Sequence, residues 1–139
     1  MNFKRWIVAT VGAFVAIFAS DFVIHHLWLS GFYHAHAQWW RPEAEMKSFM
    51  PFMLLSQVSM AALLAVVYAQ GYEKGKGSLS QGARFGLLIG LLLLLPNSLM
   101  TYCIYPYPVS LIQSWFLGGL AELTLAGIVI GALYKPTKT

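Results

Sequence analysis

The chain has 139 residues, of which 58% are hydrophobic and 10% are charged, and its formal net charge is +4. Soluble domains carry about 25% charged residues, so this composition excludes an ordinary soluble protein and predicts one membrane-embedded domain over residues 1–139. The basic residues form no continuous patch, so we expect no nucleic-acid partner. The single cysteine excludes an internal disulfide and any paired-cysteine metal or redox motif.

Four apolar segments are long enough to cross a bilayer, whose hydrocarbon core of about 30 Å requires about 20 helical residues. They are residues 6–29, 51–70, 84–104 and 108–134. The first segment follows a basic pair, as in a signal peptide. Ile17 and Phe18 stand where cleavage requires small residues, so we expect the segment to remain as a helix. The predicted fold is therefore all-α, an integral membrane bundle of four transmembrane helices.

The basic residues predict the orientation of these spans. Seven of the nine lie before the first span, around the loop at residues 71–83, or after the fourth span. Positively charged flanks are retained on the cytoplasmic side of a membrane, so both termini are expected in the cytoplasm. The loop at residues 30–50, which is rich in aromatic residues and histidine, is then expected outside.

Polar side chains occur in all four predicted spans. At about 1.5 Å per helical residue, four of them lie about 9–12 Å from the outer helix ends: Asp21, Gln57, Asn97 and Ser114. Glu122 lies about 20 Å from that end by the same count. Polar groups at this depth seek partners on neighbouring helices. The layer is therefore predicted to be either a hydrogen-bonded plug or the wall of a pocket open to the outside.

Small residues recur at four-residue spacing in the spans, and such stripes allow membrane helices to approach closely. The glycines predicted to lie at helix contacts are Gly82, Gly86, Gly90, Gly118, Gly127 and Gly131. The short YPY turn at residues 105–107 makes the third and fourth spans antiparallel neighbours. Folding this hairpin about Pro106 puts Glu122 level with Gly90, whose missing side chain is expected to leave room for the carboxyl.

The end of the first span combines acidic and imidazole groups in the segment SDFVIHHLWLSGFY. Asp21 and His25 are four residues apart, so they share a helical face and can pair, while His26 points about 100° away. In one interpretation this pair is a satisfied contact inside the bundle. In a second, Asp21 and His25 join His34 and His36 to bind a divalent transition metal. In a third, the ionisable groups form a proton or quinone site.

Haem is disfavoured as a cofactor, because all four histidines belong to the first span and its loop. Axial ligation inside a bundle requires histidines on facing helices. The sequence also contains neither the G-x-S-x-G nor the H-E-x-x-H motif of hydrolytic enzymes. It therefore favours a protein that is not an enzyme.

The chain length, the segment SDFVIHHLWLSGFY and the closing WFLGGLAELTLAGIVIGALYKP resemble short four-helix bacterial inner-membrane proteins of unknown function. The resemblance implies a multi-pass protein in the bacterial inner membrane. It brings no activity and no catalytic residues.

We expect a non-enzymatic subunit, scaffold or accessory factor of a membrane assembly, because the sequence has glycine contact faces and no complete catalytic set. Its expected partners are the lipid bilayer and either further copies of itself or other membrane subunits. One alternative is a metal-binding or ion-handling protein that uses Asp21 and the histidines. Another is a small quinone- or proton-handling membrane enzyme that uses Asp21, His25 and Glu122.

Overall fold

The structure, a computed structural model, describes residues 2–134. Within this range the chain forms helices and turns and contains no strand. Four of the helices are long and apolar enough to cross a membrane. The prediction of an all-α chain with four such helices is confirmed, and the architecture is that of a multi-pass membrane protein.

In chain order the helices are α1 (Phe3–Asp21), a π-helix (Phe22–Trp28), α2 (Ser30–Ala35), a 3₁₀ turn (Ala37–Trp39), α3 (Glu43–Ser48), α4 (Met50–Gln70), α5 (Ser78–Ile104) and α6 (Val109–Leu133). The first span comprises α1 and the π-helix, and α4, α5 and α6 are the second, third and fourth spans. The third span begins six residues before its predicted start. Helical hydrogen bonds do not require apolar side chains, and the Gln81 N–H already donates to the Gly77 carbonyl over 3.0 Å.

The long loop, residues 29–49, is folded rather than irregular, since it contains α2 and α3. It lies at the same end of the bundle as the turn between α5 and α6, which we call the loop end. There the Trp40 ring of the loop stacks on the Tyr107 ring of the turn, with their centroids 6.0 Å apart. The loop is therefore packed on the helix bundle.

The closest helix contact joins α5 to α6 through glycines. A Cβ atom added to Gly82 would overlap the carbonyl oxygen of Gly127, and one added to Gly127 would overlap that of Gly82. A Cβ on Gly86 would overlap the carbonyl oxygen of Leu123, and one on Gly131 that of Ser78. The two backbones touch along this seam because no side chain separates them.

Gly90 belongs to the same helix face but does not make room for Glu122. A Cβ atom there would meet the side chains of Leu120, at 2.8 Å, and Leu123, at 3.6 Å. Glu122 instead lies beside residues of the first span. The predicted contact between Glu122 and Gly90 is wrong, because Glu122 is one position, about 100°, away from the α6 face that contacts α5.

The first span and α4 both contact α6, and the Tyr68 ring of α4 also packs on the Phe85 ring of α5, with their centroids 5.3 Å apart. The first span lies along α6, and α4 lies along the first span. Ala9, Ala13 and Ala61 are fully buried between them, so small side chains allow close approach here as well. The Trp6 indole of α1 donates a hydrogen bond of 3.1 Å to the Ala62 carbonyl of α4. The buried Ile24 side chain packs on Gly118 of α6, and a Cβ atom added to this glycine would lie 3.2 Å from it.

The turn between α4 and α5 is held by a buried glutamine. Gln81 is 6% exposed, and its side chain bonds both backbone groups of Glu73. The Glu73 carboxylate contacts Lys76 and, over 2.7 Å, Arg84. The hydrogen bond from Lys76 lowers the pKa of Glu73 below its usual range. This end of the bundle therefore carries a compact group of charges outside the apolar core.

Candidate functional site

A continuous series of polar side chains begins near the middle of α6, passes through the first span to the long loop, and returns to α6 nearer its first residue. The side chains come from four helical elements and from the π-helix between α1 and α2. We call them the polar chain: Glu122, Asp21, Gln57, His25, Tyr33 and Trp115.

Asp21, the last residue of α1, contacts three members of the polar chain. The Gln57 side-chain amide of α4 donates a hydrogen bond to Asp21 Oδ2. The other oxygen, Oδ1, lies 3.7 Å from His25 Nε2. The Glu122 carboxyl of α6 lies close enough to Asp21 for a hydrogen bond between the two carboxyl groups. Asp21 therefore joins the first, second and fourth spans, and the sequence prediction placed all four of these residues in one candidate site.

The π-helix sets the position of His25. Its N–H groups reach farther back than in an α-helix, as in the 2.9 Å bond from the Leu29 N–H to the Ile24 carbonyl. Ile24 and Leu29 are both buried in a small cluster with Leu111 of α6. An α-helix would turn residues five apart by about 140°, so both could not face α6. Hydrogen bonds five residues apart bring them into line, and such wide turns are frequent at functional sites.

Tyr33 connects His25 to α6. The Tyr33 hydroxyl lies 2.7 Å from His25 Nδ1, and Trp115 Nε1 donates to the same hydroxyl over 2.8 Å. An indole N–H can only donate, so the Tyr33 oxygen accepts from Trp115 and its own proton is free for His25 Nδ1. A neutral His25 then carries its proton on Nε2, the atom that faces Asp21.

Aromatic rings surround this part of the polar chain. Trp40 packs edge-on against Tyr33 at 5.3 Å and against Trp115 at 6.1 Å, and Tyr107 packs on Trp115 at 5.6 Å. Burial raises the pKa of the Tyr33 hydroxyl above its usual value of 10.0, the Trp115 bond offsets part of this effect, and the Asp21 charge adds to it. Tyr33 is therefore a neutral donor at physiological pH.

Two residues of the predicted polar layer do not join the polar chain. Asn97 is exposed on α5, on the far side of α6 from the first span. The Ser114 hydroxyl donates back to the Ser110 carbonyl of its own helix over 2.8 Å. Both residues have the predicted depth, but the direction of a side chain around the helix axis depends on how the helices pack.

The four predicted metal ligands do not converge. Asp21 and His25 are close together, but His34 is exposed in the loop. The His36 ring stacks on Phe32 at 4.2 Å and bonds the Phe32 carbonyl through Nδ1 over 3.0 Å. Across residues 2–134, no group of three or more histidine, cysteine, aspartate or glutamate side chains is placed to hold a metal ion.

Sequence reasoning missed the roles of Tyr33 and Trp115. Neither residue was among the polar groups that the sequence placed in the candidate site. Regular helical spacing could not have paired Tyr33 with His25, because the π-helix changes the register between them.

Two grooves open beside the carboxyl pair. One lies between the first span and α4, encloses about 410 Å³, and is lined by Asp21, Phe49, Phe52, Met53, Ser56 and Gln57. The other lies between the first span and α6, encloses about 530 Å³, and has Glu122 among its lining residues. Apolar molecules in a bilayer could therefore approach either carboxyl. Comparisons with known protein families, with curated proteins and with solved structures found no match to this chain.

Proposed function

We propose that this protein binds protons within the membrane and exchanges them with the loop end through Glu122, Asp21, His25 and Tyr33. The observation that carries the proposal is the juxtaposition of two carboxyl groups from different spans. Ionisable groups inside membrane spans are costly and commonly form proton pathways. The contact of Asp21 with His25 and of His25 with Tyr33 supplies the remaining steps.

The chemistry of the pair favours a single shared proton. Two carboxylates in contact repel each other strongly where the dielectric constant is low. One proton between them replaces that repulsion with a hydrogen bond. The Gln57 amide supports this arrangement, because it donates to Asp21 whether or not Asp21 shares the proton.

Exchange of this proton requires groups that both give and accept protons. The imidazole of His25 can do both, and its two nitrogens face Asp21 on one side and Tyr33 on the other. In the inward direction Tyr33 gives its proton to His25 Nδ1 while His25 Nε2 gives its own to Asp21, and water at the loop end replaces the Tyr33 proton. In the outward direction the ring first takes the opposite tautomer, so that Nε2 accepts from Asp21 while Nδ1 gives its proton to the Tyr33 oxygen, which releases its own to water.

Infrared difference spectroscopy of the protein in lipid tests the proposal. A C=O stretching band of a protonated carboxyl is expected, which changes with pH, is lost in Glu122→Gln, and shifts in frequency in Asp21→Asn, where Glu122 stays in apolar surroundings but loses the carboxyl that it bonds. Glu43→Gln is the matched control, since Glu43 lies in the long loop and pairs with Lys47. A wild-type protein without such a band, or a band that both core variants leave unchanged, would refute the proton site.

We also propose that the protein lies in the bacterial inner membrane with the loop end outside and both termini in the cytoplasm. The distribution of basic residues supports this orientation. The single cysteine offers a test, because Cys103 is exposed next to the last residue of α5. A membrane-impermeant maleimide should label it in intact spheroplasts. Labelling that appears only after lysis would reverse the orientation.

A second candidate function, subunit of a membrane assembly, is favoured by Asn97. This exposed residue lies seven positions before the end of α5, about 10 Å inside the helix. Pro96 next to it has no N–H, so the Leu92 carbonyl also lacks its usual helical donor. Amide and carbonyl groups facing hydrocarbon are satisfied when a neighbouring helix bonds them.

The mass of the protein in mild detergent tests this second candidate. The wild-type protein should be larger than a monomer, either with itself or with another subunit, and Asn97→Leu should shift it toward the monomer. Ser59→Leu is the control, because Ser59 is equally an exposed polar residue within a span. A wild-type monomer that carries no other protein would count against a subunit role.

A further inference from the structure

The groove between the first span and α6, which we call the Glu122 groove, extends from the loop end toward the middle of the bundle. Trp28 lines it near the loop end, and Ala19 and Leu125 line its deeper part. Ala19 and Trp28 are nine positions apart, which corresponds to about 13 Å along a helix. The groove therefore gives a path from the membrane interface to Glu122.

The lining of the Glu122 groove is apolar apart from one acid and one hydroxyl. Small residues, among them Ser20, Gly118 and Ala121, bring the groove close to both helix backbones. Glu122 is the one charged residue among those that line it, and none of them is basic. An acidic group in apolar surroundings is stabilised by a positive partner.

We propose that the Glu122 groove binds a lipophilic cation, an amine or ammonium group with apolar substituents, which enters from the bilayer. The inference rests on the proposed proton site, since the cation and the proton neutralise the same carboxyl pair. The apolar substituents contact the groove lining while the charge faces Glu122. The Trp28 ring lines the groove near the loop end, where its face can bind the cation as it enters.

The position of Glu122 distinguishes this occupant from a membrane phospholipid. Glu122 lies thirteen residues after Val109, the first residue of α6, which is about 20 Å along the helix and near its middle. The headgroup of a phospholipid stays at the membrane interface and does not reach this depth. A cation shielded by apolar groups can reach it, because its charge is spread and its surface is compatible with hydrocarbon.

Cation binding and proton binding are expected to exclude each other. When a cation reaches Glu122, the proton shared with Asp21 leaves through His25, so one positive charge enters the pair as another leaves. Asp21 contacts Glu122, and His25 lies next to Asp21. The remaining titratable groups of the packed elements lie toward helix ends or in the loop: Lys4, Arg5, His26, Tyr33, His34, Tyr68, Arg84, Tyr102 and Cys103.

Calorimetry with tetraphenylphosphonium and the purified full-length protein in lipid nanodiscs tests the inference. The wild-type protein should bind this cation and release one proton, so its dissociation constant should rise by about tenfold for each unit of pH decrease where the pair takes up its proton. Glu122→Gln should weaken binding by at least about tenfold. The control Glu43→Gln removes a carboxylate from the loop and should bind like the wild type.

A second variant separates the groove from the proton site. Ala121 is exposed, so Ala121→Phe fills the groove with little effect on the packed core. It should weaken cation binding and leave the infrared carboxyl band unchanged. Circular dichroism confirms that each variant is folded before its binding is compared.

Three results would overturn the inference. Binding that is equally tight in the wild type and in Glu122→Gln would show that Glu122 is not the partner of the cation. Binding that is unaffected by Ala121→Phe would show that the cation does not occupy the groove. Equally tight binding of neutral triphenylphosphine oxide would show that charge is not recognised. If the wild-type infrared band is present in any of these cases, the proton site stands without the cation. If that band is absent, the proposed function fails as well.

Discussion

Replacement of Tyr33 by phenylalanine removes one hydroxyl group that makes two hydrogen bonds. His25 Nδ1, at 2.7 Å, and Trp115 Nε1, at 2.8 Å, both lose their partner, while the ring and its packing on Trp40 remain. A hydrogen bond contributes about 0.5–1.5 kcal/mol net, and a buried group left unpaired costs more. Tyr33 is half-buried and water can partly replace the hydroxyl, so we expect a loss of about 1 kcal/mol per bond.

The expected total of about 2 kcal/mol corresponds to a roughly 30-fold increase in the opening equilibrium of the loop, at about 1.4 kcal/mol per factor of ten. Hydrogen–deuterium exchange of α2 in nanodiscs measures this opening directly. Tyr102→Phe is the matched control, because Tyr102 is 60% exposed on α5. If α2 exchanges at the wild-type rate in Tyr33→Phe, the two hydrogen bonds do not hold the long loop on the bundle.

Further predictions concern packing, the turn before α5, and pH. Gly86→Ala should destabilise the bundle by about 3 kcal/mol in detergent unfolding, because the new methyl group meets backbone that cannot rotate away. Gly31→Ala adds a methyl group in open space and should not destabilise the bundle. Equal stability of the Gly86→Ala and Gly31→Ala variants would contradict the close contact between α5 and α6. Gln81→Ala should cost about 1–2 kcal/mol by removing buried hydrogen bonds, whereas the exposed Gln70→Ala should be neutral. The pKa of Tyr33 is raised in the folded protein, so its contribution to stability is complete below about pH 10 and is lost as the pH rises through the folded pKa. Tyr33→Phe should therefore lose less stability than the wild type as the pH rises above about 10, and an equal loss would assign the effect to other groups.

The four spans could be predicted from the sequence because the transfer of a helix into hydrocarbon depends mainly on its length and summed hydropathy. The helix boundaries were less predictable, because hydropathy does not determine where helical hydrogen bonds begin and end. α5 begins at Ser78, in a polar segment that forms helical hydrogen bonds but adds nothing to hydropathy. The bounds of a membrane span and the bounds of its helix are different quantities.

For the residues of the candidate site, the sequence predicted only how far along its helix each one lies. Asp21, Gln57, Asn97 and Ser114 were placed in one layer by counting along each helix, and the count says nothing about rotation around the helix axis. The structure brings Gln57 to Asp21 but leaves Asn97 exposed. Rotation is set by the glycine seam between α5 and α6, which directs Asn97 away from the first span.

The wide helical turn at Phe22–Trp28 makes the placement of the long loop depend on a residue count. A π-helix holds about one residue more per turn than an α-helix, so the same residues wound with ordinary helical bonding would turn through a larger angle. Everything after this turn would then rotate by about 100° relative to α6. Leu29 would leave its buried position and Tyr33 would leave His25. Natural variants of this chain should therefore either keep the wide turn or lose it together with one residue, because only these combinations keep the long loop in register with α6.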